Sequence, residues 1–299
     1  MRAYVTGATG FVGGHVAKAL AAAGADVRTD RVDLRDAAAV LRAVEGCDAV
    51  FHVAALYSYD ADREAIEAVN VGGTRHVVEA CVRHGVSRLV HTSTAGTCGP
   101  VEGRVATEED EPPAWELKVP YKATKLSAER LVLAAAAEGL DTVVVNPTTP
   151  VGEGDRKPTP TGRMVASVAR GRIKGYVATT GLNVVNVHDV AQGHLLAYER
   201  GEAGQRYLLG GTNLALRELF AVVADLAGRP RPRVRVPYAV AAAAAAVRLA
   251  NPNEVRLARL PMYFSSEKAQ NRLGYQAGPI EPALKRAVAD ALGEEKEGV

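Results

Sequence analysis

The chain has 299 residues, 47% of them hydrophobic and 23% charged, which is ordinary for a soluble globular enzyme and enough to bury a sizeable core. A formal net charge of +2 is too small to argue for nucleic acid or a membrane surface. Cys47, Cys81 and Cys98 lie far apart, are odd in number and form no CxxC pair, so reduced thiols in a cytoplasmic protein are expected rather than a disulfide scaffold or zinc site.

The N-terminal stretch "YVTGATGFVGGHV" spaces Gly7, Gly10 and Gly13 three residues apart between a short apolar run, Ala3 to Thr6, and a helix-like segment. Val12, Val16, Ala19, Leu20 and Ala23 fall at helical spacing, and Gly24 supplies a stop. A strand, a glycine turn and a helix N-terminus make an anion site suited to a pyrophosphate. Because the first strand begins beside Met1, no signal peptide is expected.

Further strands are predicted at "DAVFHVAA", "RLVHTST" and "DTVVVNP", each a nearly continuous apolar run of the kind covered by helices on both faces. Helices are predicted over "REAIEAVNVGGTRHVVEACVRHG" and "YKATKLSAERLVLAAAAEG", the latter with a stripe of Ala128, Leu131, Val132 and Ala135 before Gly139. This alternation implies an α/β fold with a doubly wound parallel sheet, whose ligands sit at the carboxyl ends of the strands. Past Pro147, "PTTPVGEGDRKPTPTG" reads as a long ordered loop. "LNVVNVHDVAQGHLLAYERG" reads as a strand returning to the sheet, then a helix from near Asp189. "GRPRPRVRVP" reads as a basic connector, and the alanine run after it, too short for a membrane span, as a packed amphipathic or buried helix. The expected organisation is a dinucleotide-binding Rossmann core over 1–150. A smaller substrate-binding region over 151–299 would send segments back to the sheet.

"YKATK" sets Tyr121 and Lys125 one helical turn apart on one face. An ammonium beside a phenol lowers its pKa and brings it into the working range of a general acid–base. Upstream, "VHTSTAG" ends a predicted strand with Thr92, Ser93 and Thr94, where a hydroxyl would hold a substrate oxygen together with Tyr121.

"TGATGFVGGHV", "HVAA", "NVGGT", "TSTAG", "YKATK" and "VNP" resemble, in order and spacing, the extended short-chain dehydrogenase/reductase family of NAD-dependent epimerases, dehydratases and dihydroflavonol-reductase-like ketone reductases. "NPTTPVGEGDRKPTPTGR" and "GLNVVNVHDVA" are most similar to its hopanoid-associated sugar epimerases. The resemblance implies an NAD(P) cofactor. It assigns Gly7, Gly10 and Gly13 to the pyrophosphate turn, with Phe11 and Val12 over the phosphates. It assigns Asp33 to the adenine amine, with Leu34 beside the ring. Val53, Ala54 and Ala55 would line the ribose side, with Asn70 buttressing that strand. Thr92 would lie on the cofactor side, while Val144 and Pro147 would pack near the nicotinamide. Thr94, Tyr121 and Lys125 fall on the catalytic positions, and Lys125 would also hold the ribose hydroxyls.

Between "ADVRTD" and "VDLRD" the chain is shorter than the family pattern. Gap-free matching puts Arg31, not Asp30, at the position facing the ribose 2′ group, which leans toward NADP(H) over NAD(H). The expected activity is NAD(P)-dependent hydride and proton transfer at a secondary alcohol or ketone. The resemblance tilts this toward a sugar epimerase, with an NADPH-dependent ketone reductase of a small or lipid-like carbonyl as the alternative. A dinucleotide-sensing regulator without turnover is disfavoured by the presence of both Tyr121 and Lys125. Ala95 and Gly96, where dehydratases carry an acidic pair, argue against dehydration. "TGLNVVNV" lacks the Arg-rich approach of UDP-sugar epimerases. No metal spacing is seen among the histidines. A small-molecule substrate is expected, without nucleic acid or a membrane span, and a homodimer is left open.

Overall fold

Apolar runs of four to six residues, each followed by a helix, bury a parallel sheet from both sides. The computed structural model, which describes residues 1–57 and 62–293, contains such a sheet. The strands are β1 (Arg2–Thr6), β2 (Asp26–Arg28), β3 (Ala49–His52), β4 (Arg88–Thr92), β5 (Thr142–Pro147), β6 (Thr149–Val151), β7 (Gly175–Val177), β8 (Gly181–Asn186), β9 (Arg206–Leu209), β10 (Thr212–Ala215) and β11 (Val234–Val236). The helices of the first half are α1 (Phe11–Ala22), α2 (Ala37–Val44), α3 (Arg63–Glu67), α4 (Gly73–His84) and α5 (Pro120–Ala137). Those of the second half are α6 (Pro160–Ala169), α7 (Val187–Arg200), α8 (Leu216–Leu226), α9 (Tyr238–Ala246), α10 (Pro252–Leu257), α11 (Glu267–Leu273) and α12 (Glu281–Leu292).

The main sheet runs β2-β1-β3-β4-β5-β9, with every neighbouring pair parallel. Its strand order reverses at β1, which opens a crevice at the carboxyl ends of β1 and β3. Side chains alternate across it. Ala3, Val5, Phe51, Val90, Val143 and Val145 pack with Val16 and Leu20 of α1 and with α7. Tyr4, Val50, Leu89 and Val144 face the other way, toward α2, α4 and α5. Val144 is therefore fully buried in the core and does not pack near a cofactor, correcting the expectation for it. Helix residues Ala128, Val132 and Ala135 are buried as their stripe requires.

Four segments depart from the sequence reading. The helix expected from residue 63 is interrupted by a π-helical turn at Ala68–Gly72 between α3 and α4. The segment expected as one loop after Pro147 contains β6, and α6 begins at Pro160. The strand expected to return to the main sheet is β8, which instead joins β6 and β10 in a separate sheet, while β9 takes the edge beside β5. The alanine-rich α9 is not buried: only Ala241 and Ala245 are. A third apolar cluster, under α6, α8 and α12, closes over Val151 and Val184.

Ionic contacts fasten β9 and α5. Glu129 is buried, and its carboxylate accepts from Arg206 Nη1 at 2.8 Å, from Thr97 Oγ1 at 2.7 Å and from Asn146 Nδ2 at 2.7 Å. Arg206 reaches on to the carbonyls of Glu108 and Asp110, and the Glu108 carboxylate accepts from Leu208 N. Removing one partner of such a buried pair strands the other. Glu129→Ala should therefore cost about 3–5 kcal/mol of stability in urea unfolding. A loss below about 1 kcal/mol would mean that Arg206 finds another partner or water.

Candidate active site

The glycine turn is dictated by backbone contact. Gly7 has φ +70°, and a Cβ on it would lie 2.9 Å from Ala54 Cα. A Cβ on Gly13 would lie 2.2 Å from the Gly7 carbonyl oxygen. Gly10 N donates to Gly7 O at 2.8 Å and starts α1, with no side chain capping the helix. The N–H groups of the first turn are thus left to an incoming anion. This is the fit expected for a dinucleotide pyrophosphate.

The turn forms one wall of a cleft of about 790 Å³. Of the predicted residues, Gly7, Gly10, Phe11, Val12, Gly13, Arg31, Asp33, Leu34, Val53, Ala54, Ala55, Thr92, Thr94, Tyr121, Lys125 and Pro147 line it. Asn70 stands behind the wall, buried, with Oδ1 accepting from Leu56 N at 2.7 Å and Nδ2 donating to Leu56 O at 3.3 Å.

A directed chain of hydrogen bonds runs behind the cleft. Val53 N and Ala54 N donate to Thr6 Oγ1, both at 3.0 Å. Thr74 Oγ1 donates to Asn70 O at 2.6 Å, so it must accept from His52 Nε2 at 3.0 Å. His52 Nδ1 is then the acceptor for the Thr6 hydroxyl at 2.9 Å. Burial holds His52 near pKa 3 and therefore neutral, as this tautomer requires. From Asn70, Nδ2 also donates to Thr124 Oγ1 at 3.2 Å, and that hydroxyl donates to Tyr121 O at 3.0 Å. The glycine-turn wall and the Tyr121 helix are joined through the π-helical turn that carries Asn70.

Tyr121 and Lys125 are buried on α5. The Tyr57 ring lies 4.5 Å from that of Tyr121, and burial followed by this neighbour pushes the phenol far above its ordinary pKa. Lys125 Nζ donates to Thr92 O at 2.7 Å, while burial draws its pKa down to about 8. The sequence argument that this ammonium lowers the Tyr121 pKa is therefore not met in this arrangement; burial dominates the phenol.

The three hydroxyls after β4 diverge. His194 Nδ1 meets Val190 O at 2.7 Å and must donate, so Nε2 accepts from Thr92 Oγ1 at 2.8 Å, away from the cleft. Thr92 offers the site its carbonyl rather than its hydroxyl. Thr94 Oγ1 accepts a long bond from Gly96 N at 3.3 Å and keeps its proton to donate. Ser93 is a cleft residue, and its Oγ is buried with no hydrogen-bond partner among the described residues, a feature that spacing alone could not reveal. Beneath this turn, Asn146 Nδ2 holds Thr94 O at 3.2 Å. Lys122, paired with buried Glu116 at 3.7 Å, fills the space under Gly96. These supports were missed because they belong to distant segments; only Glu129, four residues past Lys125, sits at a legible helical spacing.

At the other end, β2 stops at Arg28, and Asp30 pairs with it at 3.5 Å. Asp33 is held by Arg35 Nη2 at 2.6 Å, which brings its pKa to about 2. Arg31 and Lys157 line the cleft with no ion pair among the described residues. Separately, His188 and Arg286 hold the Glu153 carboxylate, both at 2.8 Å, beside His15. Histidine spacing in the sequence could not foreshadow that cluster.

A family model described as the NAD dependent epimerase/dehydratase family matches residues 3–210. The chain is 36% identical to a putative dihydroflavonol 4-reductase of Synechocystis sp., over 97% of this chain and 93% of that protein. It is 35% identical to 2-alkyl-3-oxoalkanoate reductase of Stenotrophomonas maltophilia, over 77% of each. The crystal structure of gox2253 superimposes with a TM-score of 0.86 at 36% identity, covering 99% of both chains. With its glycine turn, its parallel sheet and these matches, the chain belongs to the NAD-dependent epimerase/dehydratase family, the extended short-chain dehydrogenases/reductases.

Proposed function

We propose that the protein is an NAD(P)H-dependent reductase of a ketone on a small or lipid-like substrate. The observation that carries this reading is the convergence of Tyr121, Lys125, Ser93 and Thr94 in the cleft that starts at the glycine turn. The residues fit a dinucleotide: the uncapped N–H groups of α1 would hold the pyrophosphate, Asp33 and Leu34 would take the adenine end, and Lys125 would hold the ribose hydroxyls. The bound nicotinamide supplies the hydride. Thr94 donates to the carbonyl oxygen and orients it, with Ser93 as the neighbouring donor. Tyr121, kept protonated by burial, gives its phenolic proton to the same oxygen. Lys125, anchored on Thr92 O, then faces the phenolate and stabilises it.

Substrate class is supported by the walls nearest Tyr121. Segments 53–57 and 147–150 contribute Leu56, Tyr57, Pro147, Thr148, Thr149 and Pro150 to the cleft and carry no charged side chain, and of the lining residues after Pro150 Lys157 alone is charged. A nucleoside diphosphate would need more than this one cation there. The similarity to a putative dihydroflavonol 4-reductase and to 2-alkyl-3-oxoalkanoate reductase favours the same choice over the sugar epimerase that the motif resemblance suggested. The hydroxyl-bearing Thr148, Thr149, Thr159 and Thr161 favour a sugar as the second reading. Cofactor stoichiometry separates them: a reductase consumes one NAD(P)H per product, whereas an epimerase shows no net consumption.

Tyr121→Phe should leave cofactor affinity nearly intact and slow turnover by roughly 10²–10⁴-fold. Thr94→Ala should be impaired more than Ser93→Ala, and the reverse order would transfer the orienting role to Ser93. In the direction of ketone reduction, kcat/KM of the wild type should fall as pH rises through about 8, because Lys125 loses its proton there. A Lys125→Met variant should lack that limb, and an unchanged profile would assign the titration elsewhere.

NADP(H) is proposed over NAD(H), because Arg31 lines the cleft without a carboxylate partner while Asp30 is drawn toward Arg28. Arg31→Ala should weaken NADPH by about ten-fold or more and leave NADH nearly unchanged in calorimetric titrations. Tighter NADH binding by the wild type would place Asp30 at the ribose instead.

A further inference from the structure

Between Asp225 and Glu254 the chain has no acidic residue but carries Arg229, Arg231, Arg233, Arg235 and Arg248. That is +5 in a chain whose net charge is +2, so the remainder carries −3. The small overall charge conceals a strongly basic segment. Arg231 pairs with Asp225, whereas Arg229, Arg233, Arg235 and Arg248 are exposed and make no ion pair among the described residues.

The same segment is unusually apolar at its surface. Val234 is 58% exposed, Val240 56%, Val247 67% and Leu249 83%; these are half of the eight exposed large hydrophobic residues among those described. β11 pairs with β7 and passes through Pro237 directly into α9. On α9 the buried side is Ala241 and Ala245. Val240, Ala243 and Val247 follow one another at helical spacing on the exposed side. Arg233 N and Val234 N both donate to Lys174 O, bringing another exposed basic residue against the ribbon.

We propose that β11, α9 and the turn after it form a docking face for an anionic lipid surface. Arginines draw such a face to phosphate headgroups, and the aliphatic side chains between them enter the headgroup–acyl boundary. The exposed apolar side chains are aliphatic, while Tyr238 and Tyr176 are only partly exposed, which favours lipid over single-stranded nucleic acid, whose bases stack on exposed aromatic rings. No helix among the described residues is long and apolar enough to cross a membrane, so the attachment is peripheral. The face is connected to the cleft through two helices. α10 packs on α9, and its Glu254 pairs at 3.9 Å with Arg163 of α6, the helix whose first turn contributes Thr161 to the cleft wall.

The test is co-sedimentation of the full chain with phosphatidylcholine vesicles, with and without about one-third phosphatidylglycerol. Binding does not require turnover, so the result stands apart from the proposed reaction. Wild type should partition onto the anionic vesicles in low salt and leave them in high salt. Arg233→Ala/Arg235→Ala and Val247→Ser/Leu249→Ser, with unchanged circular dichroism, should each lower partitioning by about ten-fold or more. Equal binding to neutral vesicles, no binding to either, or variants that bind like wild type would overturn the proposal. So would an RNA oligonucleotide that displaces the vesicles and binds the Val247→Ser/Leu249→Ser variant as well as wild type.

Discussion

The Thr6 hydroxyl is the constraint on which the site depends. It sits at the end of β1, accepts from two successive amides after β3 and donates to His52. One oxygen of β1 therefore holds three successive residues at the end of β3, His52, Val53 and Ala54, and the direction of every bond is forced once Thr74 is committed to Asn70 O. A histidine charged at this place would have no acceptor for its second proton, which is why burial and hydrogen bonding select the same neutral form. The glycine turn can lie against Ala54 only because that backbone is pinned, and the turn's own glycines leave no room for movement. The pinned backbone and the Tyr121 helix are linked again through Asn70, so the pyrophosphate end and the proton-transfer end of the cleft are referenced to one frame.

Much of this fold was legible because its code is local. Four apolar runs, two long helical patterns and the glycine spacing each carry their own period, and all became strands, helices and turn near the expected positions. What failed was long-range or depended on pairing. β8 and β9 are both short apolar runs, and nothing in either says which completes the main sheet. The π-helical turn at Asn70 is invisible to a 3.6-residue pattern because one extra residue is absorbed, and the Gly72-Gly73 pair that ends it does not by itself distinguish a π turn from a helix break. Val144 was misplaced by a single step of strand alternation: its neighbours Val143 and Val145 face α1 and α7, so Val144 must face α2, α4 and α5.

The cleft residues were legible from motifs, but their hydrogen-bond state was not. Thr92, Ser93 and Thr94 look equivalent in sequence, yet one is committed to His194, one has no partner among the described residues and one caps a short turn. The commitment of Thr92 arises from α7, which lies a hundred residues downstream. The shortened segment after β2 behaves similarly. It leaves Thr29 to Arg35 as cleft-lining chain, where local pairing of Arg28 with Asp30 and of Arg35 with Asp33 decides which charge is left over.

Lys125 shows why such a site must be explained by chemistry rather than by stability. Its pKa falls from 10.5 to about 8 because the fold buries it, so its charged form is disfavoured by on the order of 3 kcal/mol relative to the unfolded chain. The sign follows from proton counting: between about pH 8 and the unfolded value the unfolded chain binds more protons, and stability rises with pH. Near neutrality the protein therefore holds a charge that its fold would rather lose. The bond to Thr92 O offsets part of that cost and aims the ammonium. A methionine of similar length would remove the burden of the charge. The charge makes sense when a negative oxygen forms beside it, as a phenolate on Tyr121 would, because the same burial that penalises an isolated ammonium strengthens its attraction to a partner.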